Sequence, residues 1–197
     1  MESQFLFPTP IFVVPLLDAV VHHHELTQRL VAESQAVTTV SRSNVGGWHS
    51  RPDLAMRPEG CYQSLLRSIV DQVCVVTDGL ARQSGRALPP YGFGLQGWAM
   101  VMRRGHYAAV HDHSDSHWSV VYYVDVGEEA PAPSGQLTFI DPRRSGRTLD
   151  ELGIFQSAFS ITPRAGFLVI FPGWLQHYVH PSGTRCRHLL FATVPSI

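Results

Sequence analysis

The chain has 197 residues, which is enough for one sizeable hydrophobic core and little more. Its 15 Lys and Arg residues nearly balance 16 Asp and Glu residues, and no basic block stands out. This charge pattern argues against nucleic acid or an anionic membrane as the partner. No apolar run approaches the roughly 20 residues that a membrane helix needs. The sequence therefore predicts one globular domain, residues 1–197.

The cysteines and the first residues bear on the compartment. Cys61, Cys74 and Cys186 are widely spaced and form no CxxC pair, so they are no disulfide framework. The opening residues Met1 to Gln4 lack the basic and apolar regions of a signal peptide. We therefore expect a cytoplasmic protein.

The N-terminal part, residues 1–91, mixes extended and helical patterns. Residues 5–17 are apolar and interrupted by prolines, which favours an edge strand. Asp18 then resembles an N-cap for a helix over 19–34. Residues 41–58 are polar and predict a loop. Apolar residues at three- and four-residue steps predict a second helix over 59–83, which Gly85 ends.

From residue 92 onward the hydrophobic period changes to alternation. Short β-rich runs separated by Gly and Pro turns cover 98–103, 118–126, 136–140, 159–162, 167–171 and 187–194. This pattern predicts a mainly β fold, a double-stranded β-helix (jelly roll, cupin-like) over 92–197. We expect the two or so N-terminal helices to pack on the outside of one sheet.

Histidines mark the candidate site. His111 and His113 are two residues apart, so on an extended strand both would project from one face. His177 follows a β-rich run and a Pro-Gly-Trp turn much further along the chain. Two ligands from one strand and one from a distant strand can build an iron site with open positions.

The identity of the second ligand is open at this point. Asp115 forms an HxD pattern with His113, so His113, Asp115 and His177 could supply two imidazoles and one carboxylate. A carboxylate stabilises Fe(II) better than a third neutral imidazole. An HxH pair by itself is a weak signal, because alternate strand histidines often serve no metal.

Residues 111–123 fit H-x-H-x-x-S-x-x-S-x-x-Y-Y, residues 135–143 fit G-x-L-x-F-x-D-P-R, and residues 163–177 fit P-x-x-G-x-x-x-x-F-P-x-x-x-x-H. In these blocks, and also in residues 6–11 and 43–50, the chain resembles a bacterial and phage family of 2-oxoglutarate- and Fe(II)-dependent oxygenases. Ser114 and Val120 depart from the family's usual proline and glycine. The spacing in the family favours His111, His113 and His177 as the ligands.

The resemblance implies a cofactor set of Fe(II), 2-oxoglutarate and O2, and hydroxylation as the reaction. It also implies that Arg187, ten residues after His177, pairs with the far carboxylate of 2-oxoglutarate, with Arg185 as the substitute. Tyr123 is placed to hydrogen-bond the same carboxylate. We expect a small-molecule or peptide substrate and, because jelly rolls often cover a sheet edge by pairing, a possible homodimer.

Two other interpretations fit part of the pattern. A cupin-type enzyme without 2-oxoglutarate fits Gly105 followed by the HxH pair. However, this chain lacks the glutamate that cupins have after that pair, and a cupin would not need Arg187. A non-catalytic jelly-roll binding module explains the fold but not the histidines. His117 shares the strand parity of His113, and Trp98 and Trp174 are candidates for pocket walls.

Overall fold

The protein is described from a computed structural model covering residues 8–127, 131–143, 156–183 and 187–194, the last range as a backbone strand. Two α-helices are present in these ranges, α1 over His23–Ala36 and α2 over Gly60–Gln83. Short 3-10 helices cover Leu17–His22 and Leu54–Met56. No described helix is both long and apolar enough to span a bilayer.

Eleven strands form the rest of the described fold. They are β1 Phe12–Pro15, β2 Asn44–Val45, β3 Trp48–His49, β4 Gln96–Met102, β5 Tyr107–His111, β6 Trp118–Asp125, β7 Leu137–Ile140, β8 Ala158–Ile161, β9 Phe167–Pro172, β10 His177–Val179 and β11 Arg187–Val194.

The strands pair into two antiparallel sheets. The main sheet has the order β1-β9-β6-β11-β4-β3, and the second sheet has the order β2-β5-β10-β7-β8. From β4 to β11 the chain alternates between the two sheets, except that β7 and β8 are neighbours in the second sheet, and this connectivity is typical of a jelly roll. The mainly β double-stranded β-helix expected from the sequence is therefore confirmed.

Alternation along the strands gives the main sheet two apolar faces. One face packs against the helices: Val101, Val120 and Tyr122 of the sheet share a cluster with Leu30 of α1 and Ile69 of α2. The other face packs against the second sheet in a cluster that contains Trp98, Met100, Met102, Ala108, Val121, Tyr123, Leu137, Phe139, Val169, Phe171, Leu175 and Val179. The helices thus lie outside one sheet, as predicted, and leave the space between the sheets for a site.

The N-terminal third departs from the sequence prediction in two places. Asp18 is not the N-cap of α1, because it lies in the 3-10 helix and the α-helix begins after His22 without a side-chain cap. The stretch 41–58, predicted as loop, contains β2 and β3. Strands of two residues are too short for a period to show in the sequence. The edge strand within residues 5–17 is present as β1.

Candidate metal centre

Three histidines, two on strands and one in a turn, come together at the second sheet. One ring nitrogen from each of His111, His113 and His177 can be chosen so that all lie within 4.8 Å of one another. The ring centroids of His111 and His177 are 4.3 Å apart, and those of His111 and His113 are 5.0 Å apart. The two elements that carry these residues are neighbours, since β10 pairs with β5 and places His177 opposite His111.

The expected strand position holds for His111 but not for His113. Strand β5 ends at His111, and His113 begins the turn that leads to β6. Its backbone N–H donates to the Gly173 carbonyl at 2.8 Å, and the Gly173 N–H donates to the His117 carbonyl at 3.0 Å. This pair of bonds joins the turn carrying His113 to the turn that precedes His177.

Gly173 makes that close approach possible. A Cβ atom at this position would lie 2.6 Å from the His113 carbonyl oxygen and still closer to that of Ser116. A side chain of any size therefore cannot be accommodated without moving the turn that carries His113.

Backbone carbonyls fix the orientation of two of the three rings. The Nδ1 of His111 lies 2.8 Å from the Ala109 carbonyl oxygen, and the Nδ1 of His177 lies 2.9 Å from that of Leu175. With the proton on Nδ1 in each neutral ring, Nε2 is left as an unprotonated donor of a lone pair. Histidine metal ligands are commonly oriented in this way.

Burial keeps these rings neutral. Desolvation lowers the pKa of His177 to about 3 and the pKa of His113 to about 4, with the charge on His111 adding to both shifts. Desolvation also lowers the pKa of His111. The rings of Phe171 and Phe139 pack on His177, at centroid distances of 4.8 and 6.2 Å, and exclude water from it.

The donor set fits Fe(II). The His177 Nε2 is buried and has no hydrogen-bond partner within the described part of the chain, which is costly unless another group occupies its lone pair. Imidazole nitrogens suit iron, and three ligands on one side of an ion leave positions open for a cosubstrate and O2. His111, His113 and His177 could therefore hold the metal.

The alternative carboxylate lies apart from this group. Asp115 is exposed, and among the described residues it belongs to no group of three potential ligands. His117 is also exposed and outside the group. The structure thus brings together the HxH pair and the distal histidine, and not His113, Asp115 and His177.

The proposed 2-oxoglutarate residues are described to different extents. Tyr123 is buried in the cluster between the sheets. Arg187 begins β11, where the backbone register pairs it with Met102 of that same cluster. Arg185 lies outside the described residues.

Two buried polar residues near the site were not identified from the sequence. His49 is buried on β3, with its ring stacked on that of Trp98. Ser119 is buried on β6, opposite Phe171 of β9, and its hydroxyl has no hydrogen-bond partner among the described residues. Alternation along β6 could have indicated the inward face of Ser119. His49 lies in the stretch 43–50 that resembles the family, but the resemblance gives it no role. Trp174 is about half exposed.

Comparison with known families supports this chemistry. Residues 96–189 match the family described as "Putative 2OG-Fe(II) oxygenase". The matched segment contains all three histidines, Tyr123 and Arg187. No curated protein sequence matches the chain.

Solved structures share the fold at low sequence identity. A prolyl-4-hydroxylase from Pseudomonas putida is 15% identical, with a TM-score of 0.67 over 96% of this chain and 94% of that one. A Trichoplax adhaerens prolyl hydroxylase, in complex with a hypoxia inducible factor peptide fragment, is 16% identical, with a TM-score of 0.60 over 93% and 82%. HygX from Streptomyces hygroscopicus, with nickel and 2-oxoglutarate bound, is 12% identical, with a TM-score of 0.59 over 95% and 83%. Residues 96–189, which carry the three histidines, are thus similar to a family of 2-oxoglutarate- and Fe(II)-dependent oxygenases.

Proposed function

We propose that the protein hydroxylates a peptide or small-molecule substrate at an iron held by His111, His113 and His177. The observation that carries the proposal is the convergence of three imidazoles, one with a buried, unpartnered Nε2, inside the segment that matches the oxygenase family. Bound Fe(II) with 2-oxoglutarate and O2 supplies the oxidising chemistry, giving hydroxylated substrate, succinate and CO2.

The chain itself contributes neutral imidazole ligands in a site that is shielded from water. The carbonyls of Ala109 and Leu175 hold His111 and His177 with Nε2 free, so no proton has to leave these atoms before metal binding at neutral pH. The phenylalanine rings around His177 limit access of water to this side of the site.

Tyr123 and Arg187 are the proposed anchors for the far carboxylate of 2-oxoglutarate. Tyr123 supports this role by its burial between the sheets on the same sheet face as Val121. The backbone register aligns Arg187 with Met102 at the end of the main sheet, and this position supports the proposal. An arginine guanidinium can donate two parallel hydrogen bonds to such a carboxylate.

The proposed substrate class is taken from the names of proteins with a similar fold. Two of the similar structures are named as prolyl hydroxylases, one of them bound to a peptide fragment. Peptides containing proline are therefore the first compounds to test, followed by small molecules. The proposal also includes a homodimer, which a measurement of the molecular mass in solution would test.

The test is an anaerobic titration with Fe(II) and 2-oxoglutarate that follows the visible metal-to-ligand band of the chelate. We expect the band in the wild type, its loss in His177→Ala and a weaker band at equal 2-oxoglutarate in Arg187→Ala. Asp115→Ala is the matched control, because this exposed carboxylate lies outside the histidine group and its removal should leave the band unchanged.

Three results would change the assignment. Metal binding without the band would favour a cupin-type enzyme that does not use 2-oxoglutarate. Loss of metal in Asp115→Ala would replace His111 by Asp115 in the ligand set. A wild type that binds no metal would leave a non-catalytic jelly roll.

A further inference from the structure

His113 differs from the other two histidines in how its ring is held. No residue in the described ranges hydrogen-bonds either of its ring nitrogens, whereas the Nδ1 atoms of His111 and His177 each contact a carbonyl oxygen. Its backbone is fixed by the bond to Gly173, but that bond leaves rotation of the side chain free. The orientation of its ring must therefore come from packing.

Trp98 supplies that packing from the opposite sheet. Its ring centroid lies 5.3 Å from that of His113, with the planes inclined at 54°. Trp98 projects from β4 of the main sheet, and His113 belongs to the turn after β5 of the second sheet. The indole thus bridges the space between the sheets and contacts a candidate ligand directly.

His49 in turn holds the indole. The rings of His49 and Trp98 are stacked, with centroids 5.7 Å apart and planes within 11° of parallel. The register pairs His49 with Met100, so Trp98 is its diagonal neighbour on the same face, a spacing that aromatic side chains can reach. Both residues are buried, with 5% and 8% of their surface exposed.

Hydrogen bonds hold the His49 ring and the backbone next to it. The His49 Nδ1 lies 2.6 Å from the Ser50 carbonyl oxygen, which fixes the plane of the ring. The Ser50 N–H donates to the Ala99 carbonyl at 2.9 Å, and the Ala99 N–H donates to the Ser50 hydroxyl at 2.9 Å. These bonds join β3 to β4 beside Trp98, so the stacked pair is supported on both strands.

We infer that His49 is a positioning residue for the metal centre: through the stacked Trp98 it fixes the ring of His113 in the orientation that binds the metal. His49 lies outside residues 96–189, so the family match assigns it nothing. The inference rests on the proposed function, since it requires His113 to be a ligand. A flat ring at position 49 is what the role requires, and groups that orient metal ligands typically contribute about 10- to 100-fold in metal affinity.

The test compares two substitutions of similar size, His49→Leu and His49→Phe. Leu fills the space without a flat ring, while Phe keeps a ring that can stack on Trp98. The probe is Co(II), whose visible bands report the coordination geometry of an Fe(II) site without O2 chemistry. We expect His49→Leu to weaken Co(II) binding by about 10-fold or more and to change the bands. His49→Phe should retain the wild-type spectrum and affinity.

The matched control is Trp48→Phe, on the same two-residue strand. Trp48 belongs to the cluster on the opposite face and donates its indole N–H to the Val37 carbonyl at 2.9 Å. This variant disturbs β3 without touching the stacked pair, so it should bind Co(II) as the wild type does. Trp98→Leu is a second route to the same result and should reproduce the band changes of His49→Leu.

The remaining outcomes separate the positioning role of His49 from the proposed function. Normal Co(II) binding by His49→Leu, in a wild type that binds the metal, overturns the positioning role alone. Equal loss in His49→Leu and His49→Phe also overturns it, because the ring nitrogens and not the stack would then matter. Failure of the wild type to bind Co(II) or Fe(II) overturns the proposed function and this inference together.

Discussion

Burial lowers the pKa of the candidate histidine ligands. The same burial therefore makes the folding stability of the protein depend on pH. His113 and His177 have folded-state pKa values of about 4 and about 3, well below the ordinary histidine value of 6.5. Between these values and 6.5 the unfolded chain binds protons that the folded chain does not. Stability must therefore rise with pH across this interval.

The metal-free protein should lose thermal stability as the pH falls from 6.5 towards 4, and should gain little from these two residues above pH 6.5. Melting temperatures measured across this range test the expectation. A variant carrying His113→Phe and His177→Phe removes both titrating rings and should show a shallower decrease. An equally steep decrease in that variant would assign the effect to other groups.

At the scale of elements, the turn between β9 and β10 and the turn between β5 and β6 act as one unit. Gly173 joins them by two backbone hydrogen bonds, and its lack of a side chain permits the contact with the His113 carbonyl. The geometry of the metal centre therefore depends on a residue that bears no ligand atom.

Gly173→Ala should force the two turns apart, since a Cβ there would lie 2.6 Å from the His113 carbonyl oxygen. We expect Fe(II) affinity to fall by at least about 10-fold, a loss typical of disturbed ligand orientation, and the melting temperature to fall. Gly79→Ala is the control: the Cβ meets no atom within 4 Å, and alanine at this helical position of α2 should stabilise the protein by about 0.5–1 kcal/mol. Unchanged Fe(II) affinity in Gly173→Ala would show that the turns can adjust.

The length of a strand decides whether its sequence pattern predicts it. Strands β6, β9 and β11 are long enough for alternation or an apolar run to mark them, and the prediction for each is within one residue of the structure at either end. The run that predicts β11 starts at Arg187, as the strand does. Strand β3 has only two residues, which is too few to show an alternating pattern. The sequence therefore does not predict this strand or the position of His49 on it.

The histidine group illustrates the same limit within the site. The spacing within the family resemblance favours His111 and His113 as ligands, whereas the charge of a carboxylate favours the HxD pair His113 and Asp115. The residues of this short segment do not by themselves distinguish the two ligand sets. Pairing of β10 with β5 decides the geometry, because it places His177 opposite His111 and leaves Asp115 exposed. Such pairing joins residues 66 positions apart and has no local signature.

At the scale of the whole molecule, the helical N-terminal part and the jelly roll share one apolar cluster. Leu26 and Leu65 of the helices are fully buried together with Val120 and Leu168 of the main sheet. The His23 Nε2 also lies 2.6 Å from the Tyr122 hydroxyl, between α1 and the middle of β6. Without residues 1–91 the outer face of the main sheet would be exposed to water, at a cost of about 25 cal/mol for each Å² of apolar surface.

We therefore predict that residues 1–197 unfold as a single cooperative unit. Calorimetry should give one transition, with equal calorimetric and van't Hoff enthalpies, because neither part buries its apolar face alone. Residues 92–197 produced without the N-terminal part should fail to fold or should aggregate, since the exposed face of the main sheet is a large apolar surface. Two resolved transitions, or a folded 92–197 segment that still binds Fe(II), would instead establish the jelly roll as an independent domain and make the helices an addition to it.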